Sequence, residues 1–203
     1  MDKYELLPKK LISLGISKRS DFFNPPYPEI IDVLGVHKKE YVSKLKNLKL
    51  SEYEIRKIGF PLSKELINRE FLIAGGTVFG AYKALTQKIS MNIAGGTHHS
   101  FSNKGEGFCL LNDQAIGANY LLNNHSINKI LIVDLDVHQG NGTASIFKSN
   151  NKVFTFSMHG AKNYPFKKEK SDLDIGLKDK TTDNEYLNTL KFFLPQIIKK
   201  FKP

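Results

Sequence analysis

The most reactive side chains in this sequence follow an apolar run. Asp134, Asp136 and His138 come after the residues ILIV, and side chains two residues apart in an extended chain point to the same side. Open α/β sheets bind ligands beyond the carboxyl ends of their strands. A carboxylate oxygen with an imidazole nitrogen suits zinc or another first-row metal better than calcium or magnesium. Asp136 and His138 are therefore the candidate metal ligands, although a hydrogen-bonded strand end would explain the pattern about as well.

Two adjacent histidines, His98 and His99, form the second candidate element, in the segment GGTHHS. Neighbours in an extended chain face opposite sides, so we expect each imidazole to need its own partner. Asp134 and Asn141 are available as acceptors, and such hydrogen bonds fix the tautomer of a histidine. A carboxylate would hold its histidine more cationic than an amide would, so the two histidines could divide into an electrostatic stabiliser and a proton acceptor. Alone, such a pair is more often ordinary polar surface.

The elements that would position these residues alternate between strand and helix. Apolar runs typical of strands lie at 91–94, 129–135 and 153–157. Helical patterns lie at 75–85, 113–122 and 143–148. The alternation predicts an α/β domain with a mainly parallel sheet and helices on both faces. The run ILIV predicts a central strand, and the first helix is expected to open after Gly75 and Gly76.

The two ends of the chain are predicted to differ. Residues 1–70 form a helical and loop part without obvious chemistry, whereas residues 71–203 hold the sheet core. A last helix at 183–201 has one apolar face, and Pro195 is expected to kink it. An α/β sheet would ordinarily continue with another strand, so we expect a single partial domain that is incomplete at its C-terminus.

Composition excludes several functional classes. The net charge of +10 is spread over short basic runs without the interleaved aromatics of a nucleic-acid groove, which indicates no specific nucleic-acid partner. No apolar run is long enough to cross a bilayer, and the lone Cys109 fits a reducing compartment. We expect a soluble, cytoplasmic protein. A cysteine hydrolase that uses Cys109 is a weaker alternative, because a thiol in an apolar stretch is usually inert.

The combined motifs resemble the histone deacetylase superfamily, especially its bacterial and class IV-like members. The resemblance runs from about Lys3 to the end, and it is carried by GGTHHSFSNKGEGFCLLND, ILIVDLDVHQGNGTASIF and FSMHGAKNYPF. It implies an arginase-deacetylase fold. It also implies a zinc-dependent hydrolase that removes acyl groups from lysine or from small acylated amines.

The resemblance further implies roles for individual residues. Asp136 and His138 would ligate zinc. His98 would pair with Asp134, and His99 would pair with Asn141 and take a proton from the attacking water. Further residues implied in this way are Gly107, Phe108 and Tyr164 for the acyl-lysine tunnel, and Asp134, Asp136, His138, Ser157 and Met158 for a structural potassium ion.

Two parts of the family pattern find no match in the sequence. These are a third zinc-ligating aspartate and an oxyanion-stabilising tyrosine, both of which would follow the last helix. Asp172 and Asp174 match an ordinary acidic stretch and are not expected to replace the ligand. We therefore expect impaired activity, and a non-catalytic deacetylase-like binding module is the alternative.

Overall fold

The computed structural model describes residues 2–203, so that only Met1 lies outside it. In chain order the helices before the sheet are α1 (Lys3–Ser13), a 3-10 turn (Arg19–Asp21), α2 (Ile30–Leu34), α3 (Lys39–Lys46), α4 (Glu52–Ile58), α5 (Lys64–Gln87) and α6 (Asp113–Asn124). The sheet region contains β1 (Ile130–Asp134), α7 (Asn141–Phe147), β2 (Val153–Gly160), β3 (Leu173–Leu177) and α8 (Asp183–Phe201). Within the described residues, no helix is both long and apolar enough to cross a membrane.

The three strands form a parallel sheet in the order β1-β2-β3. One face packs on α6 and α7 through Ile132 and Val153. The other face packs on α8, where Phe156 meets Ile197. Alternate residues of each strand thus serve opposite faces, and the prediction of a parallel sheet between two helical layers is confirmed.

The position of β1 in the sheet differs from the prediction. Both of its faces are covered, but β2 is the central strand of the described sheet and β1 lies at an edge. An apolar run reports that both faces of a strand are covered by helices, and it carries no information about strand neighbours.

Residues 91–94 were predicted as a strand and are irregular. The Asn92 side chain replaces ladder hydrogen bonds: its amide donates to the Ile73 carbonyl at 2.8 Å, and its oxygen accepts from the backbone N–H of Ala94 at 3.1 Å. No strand within residues 2–203 pairs with this segment. Its apolar residues are instead partly or largely exposed.

Helix α5 begins well before the predicted start at residue 75. Ser63 caps its first turn by accepting from the backbone N–H of Leu66 at 3.1 Å. The helix then runs through Gly75 and Gly76 and crosses residue 70, where the N-terminal part was expected to end. A Cβ atom at Gly75 would collide with the carbonyl oxygen of Pro26. The glycine therefore serves close packing of a loop against the helix, not a turn.

Candidate active site

The carboxylate of Asp113, at the start of α6, fixes the backbone that leads into the two histidines. It accepts from the backbone N–H groups of Gly96 at 3.1 Å and Thr97 at 2.7 Å, and from the hydroxyl of Thr77 at 2.5 Å. Asp113 is buried, so water competes little for these bonds. The approach to His98 is therefore anchored to both α5 and α6.

His98 and His99 lie side by side, with ring centroids 4.1 Å apart. The expectation that they face opposite sides was wrong, because the segment is a turn and not extended chain. The N–H of His98 donates to the carbonyl of Gly96 at 3.0 Å, and Gly96 has a φ of 95°. Each ring nevertheless has its own partner. His98 Nδ1 lies 2.5 Å from Asp134 Oδ2, and His99 Nδ1 lies 2.7 Å from Asn141 Oδ1.

The different partners give the two imidazoles different charges. Burial opposes the charged form of His98, but the hydrogen bond and the charge of Asp134 outweigh it and raise the pKa of His98. Burial and the neighbouring His98 lower the pKa of His99 to about 4, since the Asn141 amide compensates only in part. The partners thus favour a neutral His99 that can accept a proton and the cationic form of His98.

Asp136 and His138 lie in a bend, because β1 ends at Asp134. The sequence predicted that an extended chain would bring these side chains together, and this prediction was wrong. Hydrogen bonds from the backbone bring them together: Asp136 N–H donates to Asp134 Oδ1 at 3.0 Å, and His138 N–H donates to Asp136 Oδ1 at 2.7 Å. Asp136 Oδ1 also lies 4.0 Å from His98 Nε2. The side chains of His98, Asp134, Asp136 and His138 thus converge on one site.

The donor pair can be tested against the geometry of zinc. Asp136 Oδ1 and His138 Nδ1 are 3.0 Å apart, close to the separation of about 3.3 Å expected for two ligands of a tetrahedral zinc with bonds of about 2.0–2.1 Å. Within residues 2–203, no group of three or more histidine, cysteine or acidic side chains could hold a metal. The pair fits two ligand positions and needs a further ligand.

The two later carboxylates are occupied elsewhere. Asp172 accepts from the backbone N–H and the hydroxyl of Thr155 at 2.8 and 2.9 Å. Asp174 accepts from the side chain of Gln139 at 2.8 Å and from the backbone N–H of Ser171 at 2.8 Å. Both hold the sheet and its loop together. Neither supplies the missing ligand.

Two of the predicted tunnel residues, Gly107 and Tyr164, lie beside His99. Gly107 and Phe108 form the tip of a two-residue hairpin turn, with φ angles of 55° and 64°. The Phe108 ring is 61% exposed and contacts Phe60 at 5.0 Å. Tyr164 stands edge-on to His99, with ring centroids 4.9 Å apart and planes at 88°. Tyr164 therefore directly covers His99.

Three of the residues suggested for potassium lie near one another, where the end of β1 pairs with the middle of β2. Asp134 and Ser157 are paired in register across β1 and β2, and Ser157 and Met158 are buried. The Ser157 hydroxyl lies 2.9 Å from His159 Nδ1. The backbone of this region is thus close to Asp134 and remote from bulk water.

Sequence reasoning missed two residues that support the site. Glu106 accepts a hydrogen bond from the Tyr164 hydroxyl at 2.5 Å. Gln139 is buried and donates to the carbonyl of Glu169 at 2.7 Å, which ties the loop after β1 to the loop before β3. No local pattern marks either residue, because their partners lie 58 and 30 positions away.

The chain is similar to known proteins of one family. Residues 1–203 match the family model for the histone deacetylase domain. An uncharacterized protein of Picosynechococcus sp. is 40% identical over 203 residues, and the match covers all of this chain and 68% of that protein. Histone deacetylase 2 of Arabidopsis thaliana is 29% identical over 205 residues, which cover 96% of this chain and 53% of that protein.

A solved structure extends the comparison to the fold. The crystal structure of an HDAC homologue from Aquifex aeolicus matches with a TM-score of 0.79 at 23% sequence identity, covering 94% of this chain and 56% of that one. The chain therefore spans between about half and two thirds of the length of these proteins.

Proposed function

The chain belongs to the histone deacetylase domain family, and from that premise we propose that it supplies the metal-binding face of a zinc-dependent hydrolase. The substrates would be acylated lysine or related acylated amines, with acetyl as the leading acyl group. The observation that carries the proposal is the convergence of the paired histidines on Asp136 and His138, where His98 Nε2 lies 4.0 Å from Asp136 Oδ1.

Asp136 and His138 are the residues proposed to hold zinc, together with a ligand from outside the described residues. Bound zinc would lower the pKa of a water molecule toward about 7 and polarise the acyl carbonyl. The backbone of Asp134, Asp136 and His138, with Ser157 and Met158, is proposed to hold a structural potassium ion, since carbonyl oxygens suit a hard cation.

His99 is proposed as the general base. Its Nδ1 faces the amide oxygen of Asn141, which accepts and so fixes the proton on Nδ1. The Nε2 atom is then left with a free lone pair. With a pKa of about 4, His99 is neutral near pH 7 and can take a proton from water.

His98 is proposed to contribute positive charge. Asp134 holds its Nδ1–H and favours the imidazolium form. The remaining Nε2–H can then stabilise negative charge on the substrate or protonate the leaving amine. The two imidazoles would thereby serve opposite ends of one amide hydrolysis.

A non-catalytic binding module is the second candidate. The observation in its favour is that no group of three or more histidine, cysteine or acidic side chains within residues 2–203 could hold a metal. A cysteine hydrolase has less support, because burial raises the pKa of the Cys109 thiol to about 12 and keeps it protonated. The single cysteine suits a reducing compartment, and we propose a cytoplasmic location.

Zinc content and turnover together test the proposal. The purified chain should be stripped with a chelator, supplied with zinc, and assayed for bound metal and for deacetylation of an acetyl-lysine reporter. We expect zinc to bind and activity to be low, because one ligand is absent. His138→Ala should abolish both, whereas His125→Ala, at the partly buried C-cap of α6, should change neither.

The two candidates give different results in this assay. Zinc-dependent turnover supports the hydrolase. Metal-free protein that still binds acyl-lysine peptides would favour the binding module. Equal zinc binding by the His138→Ala variant would reject the proposed ligands.

A further inference from the structure

A hydrogen bond joins the two segments that enclose His99. The Tyr164 hydroxyl donates to Glu106 Oε1 at 2.5 Å, and Lys104 Nζ lies 2.9 Å from Glu106 Oε2. Glu106 belongs to the hairpin at 106–109, and Tyr164 belongs to the loop between β2 and β3. This bond therefore ties one wall of the site to the other.

Backbone hydrogen bonds hold Glu106 in its hairpin. Its backbone N–H donates to the Cys109 carbonyl at 3.1 Å, and its carbonyl accepts from Cys109 N–H at 3.0 Å. The hairpin tip is also tied to α4. The backbone N–H of Gly107 donates to the carbonyl of Lys57 at 3.1 Å, and that of Phe108 donates to the carbonyl of Ile58 at 2.7 Å. The hairpin thus holds Glu106, the acceptor, independently of Tyr164.

The charge of Glu106 strengthens the bond. Burial alone would raise the pKa of Glu106, but the hydrogen bonds from Tyr164 and Lys104 outweigh it and lower the pKa. Glu106 is therefore anionic near neutral pH, and hydrogen bonds to a carboxylate are about twice as strong as neutral ones.

The bond holds Tyr164 where space is already short. A Cβ atom added at Gly107 would come within 2.8 Å of His99 Cδ2 and 3.1 Å of Tyr164 Cε1. No methyl group fits between these three residues. The position of the Tyr164 ring therefore sets how much room remains beside His99.

We propose that Glu106 is a positioning and specificity-determining residue, which holds the Tyr164 ring against His99 and so limits the size of acyl group that can reach the site. The claim about the acyl group rests on the proposed function. The claim about Tyr164 stands on the contacts alone.

Nuclear magnetic resonance of the full chain tests the positioning claim without any turnover. The ring protons of His99 report the nearby aromatic ring, and a hydroxyl proton bound to a carboxylate resonates far downfield. Glu106→Ala should remove the hydroxyl signal and shift the His99 ring protons, and Glu106→Gln, which retains an acceptor oxygen, should restore much of the wild-type spectrum. Tyr164→Phe should lose the hydroxyl signal and shift the His99 ring protons as Glu106→Ala does, because its ring is no longer held by Glu106. Tyr53→Phe, at an exposed tyrosine near the same surface, is the matched control and should change neither signal.

Binding of acyl-lysine peptides tests the specificity claim. Dissociation constants for labelled acetyl-lysine and butyryl-lysine peptides should be measured on the zinc-supplemented chain. The preference for acetyl should fall about 10-fold in Glu106→Ala and Tyr164→Phe, the size of effect expected when a snug apolar pocket is widened, and should persist in Tyr53→Phe.

The outcomes separate the positioning of Tyr164 from the selection of the acyl group. Unshifted His99 protons in Glu106→Ala would overturn the positioning claim, and an unchanged acetyl preference in both variants would overturn the specificity claim. A wild-type chain that neither binds nor hydrolyses these peptides would reject the proposed function and the specificity claim with it, while the His99 spectrum would still decide the role of Glu106.

Discussion

The buried carboxylate of Glu70, in the middle of α5, should make the stability of this protein fall as pH rises. Glu70 is 2% exposed, and its Oε2 atom has no hydrogen-bond partner. Burial raises its pKa from 4.5 to about 7, against the attraction of Arg69, whose Nη1 lies 2.8 Å from Oε1. A rise of that size corresponds to about 3 kcal/mol at about 1.4 kcal/mol per pH unit.

The sign follows from which state holds the proton more tightly. Below pH 4.5, Glu70 is protonated in both the folded and the unfolded state, so its ionisation does not change the free energy of unfolding. Between pH 4.5 and about 7 the unfolded chain loses the proton while the folded chain retains it, so the free energy of unfolding decreases across this interval and levels off above it.

The Glu70→Gln variant measures this effect directly. Urea unfolding at constant ionic strength should show the variant about 3 kcal/mol more stable than wild type at pH 8 and similar to it at pH 4. Glu40→Gln, at an exposed position on α3, should show no such pH-dependent difference. A difference between Glu70→Gln and wild type that stays constant from pH 4 to 8 would refute the reasoning.

Two further substitutions, one of them with a matched control, test a charge pair of the site and the packing of α5. Asp134→Asn should lower the free energy of unfolding at pH 7 by about 1.5–3 kcal/mol, because His98 loses a charged acceptor inside the protein. Urea unfolding of the zinc-free protein checks this. A variant as stable as wild type would argue against a cationic His98. Gly75→Ala should destabilise the protein strongly, since its methyl group meets the Pro26 carbonyl, whereas Gly15→Ala, with open space around it but a φ of 67°, should cost only about 1 kcal/mol. Equal melting temperatures for the two glycine variants would contradict the packing argument.

The sequence predicts best the elements whose apolar period is long and uninterrupted. Helix α8 runs from Asp183 to Phe201 as predicted and is continuous through Pro195, and β1, β2, α6 and α7 lie within a few residues of their predicted bounds. Strand β3 was missed although Leu173, Ile175 and Leu177 alternate with Asp174 and Gly176. The segment has only five residues, and aspartate and glycine both have low strand propensity.

The arrangement of the site is less accessible to sequence reasoning. The sequence predicts that His98 and His99 each need a partner. The turn that places their rings side by side depends on Asp113, which lies in a different element. The link between Glu106 and Tyr164 depends on tertiary contacts between segments 58 residues apart. Such contacts leave no local pattern in a single sequence.

The edge position of β1 has a practical consequence for anyone who purifies this chain. Within residues 2–203 only one side of that strand is hydrogen-bonded, to β2, and an open strand edge invites other molecules to pair with it. The net charge of +10 opposes such pairing by mutual repulsion, and salt weakens that repulsion. We therefore expect concentrated samples to stay clear in dilute buffer and to turn cloudy as sodium chloride is added, which light scattering would follow.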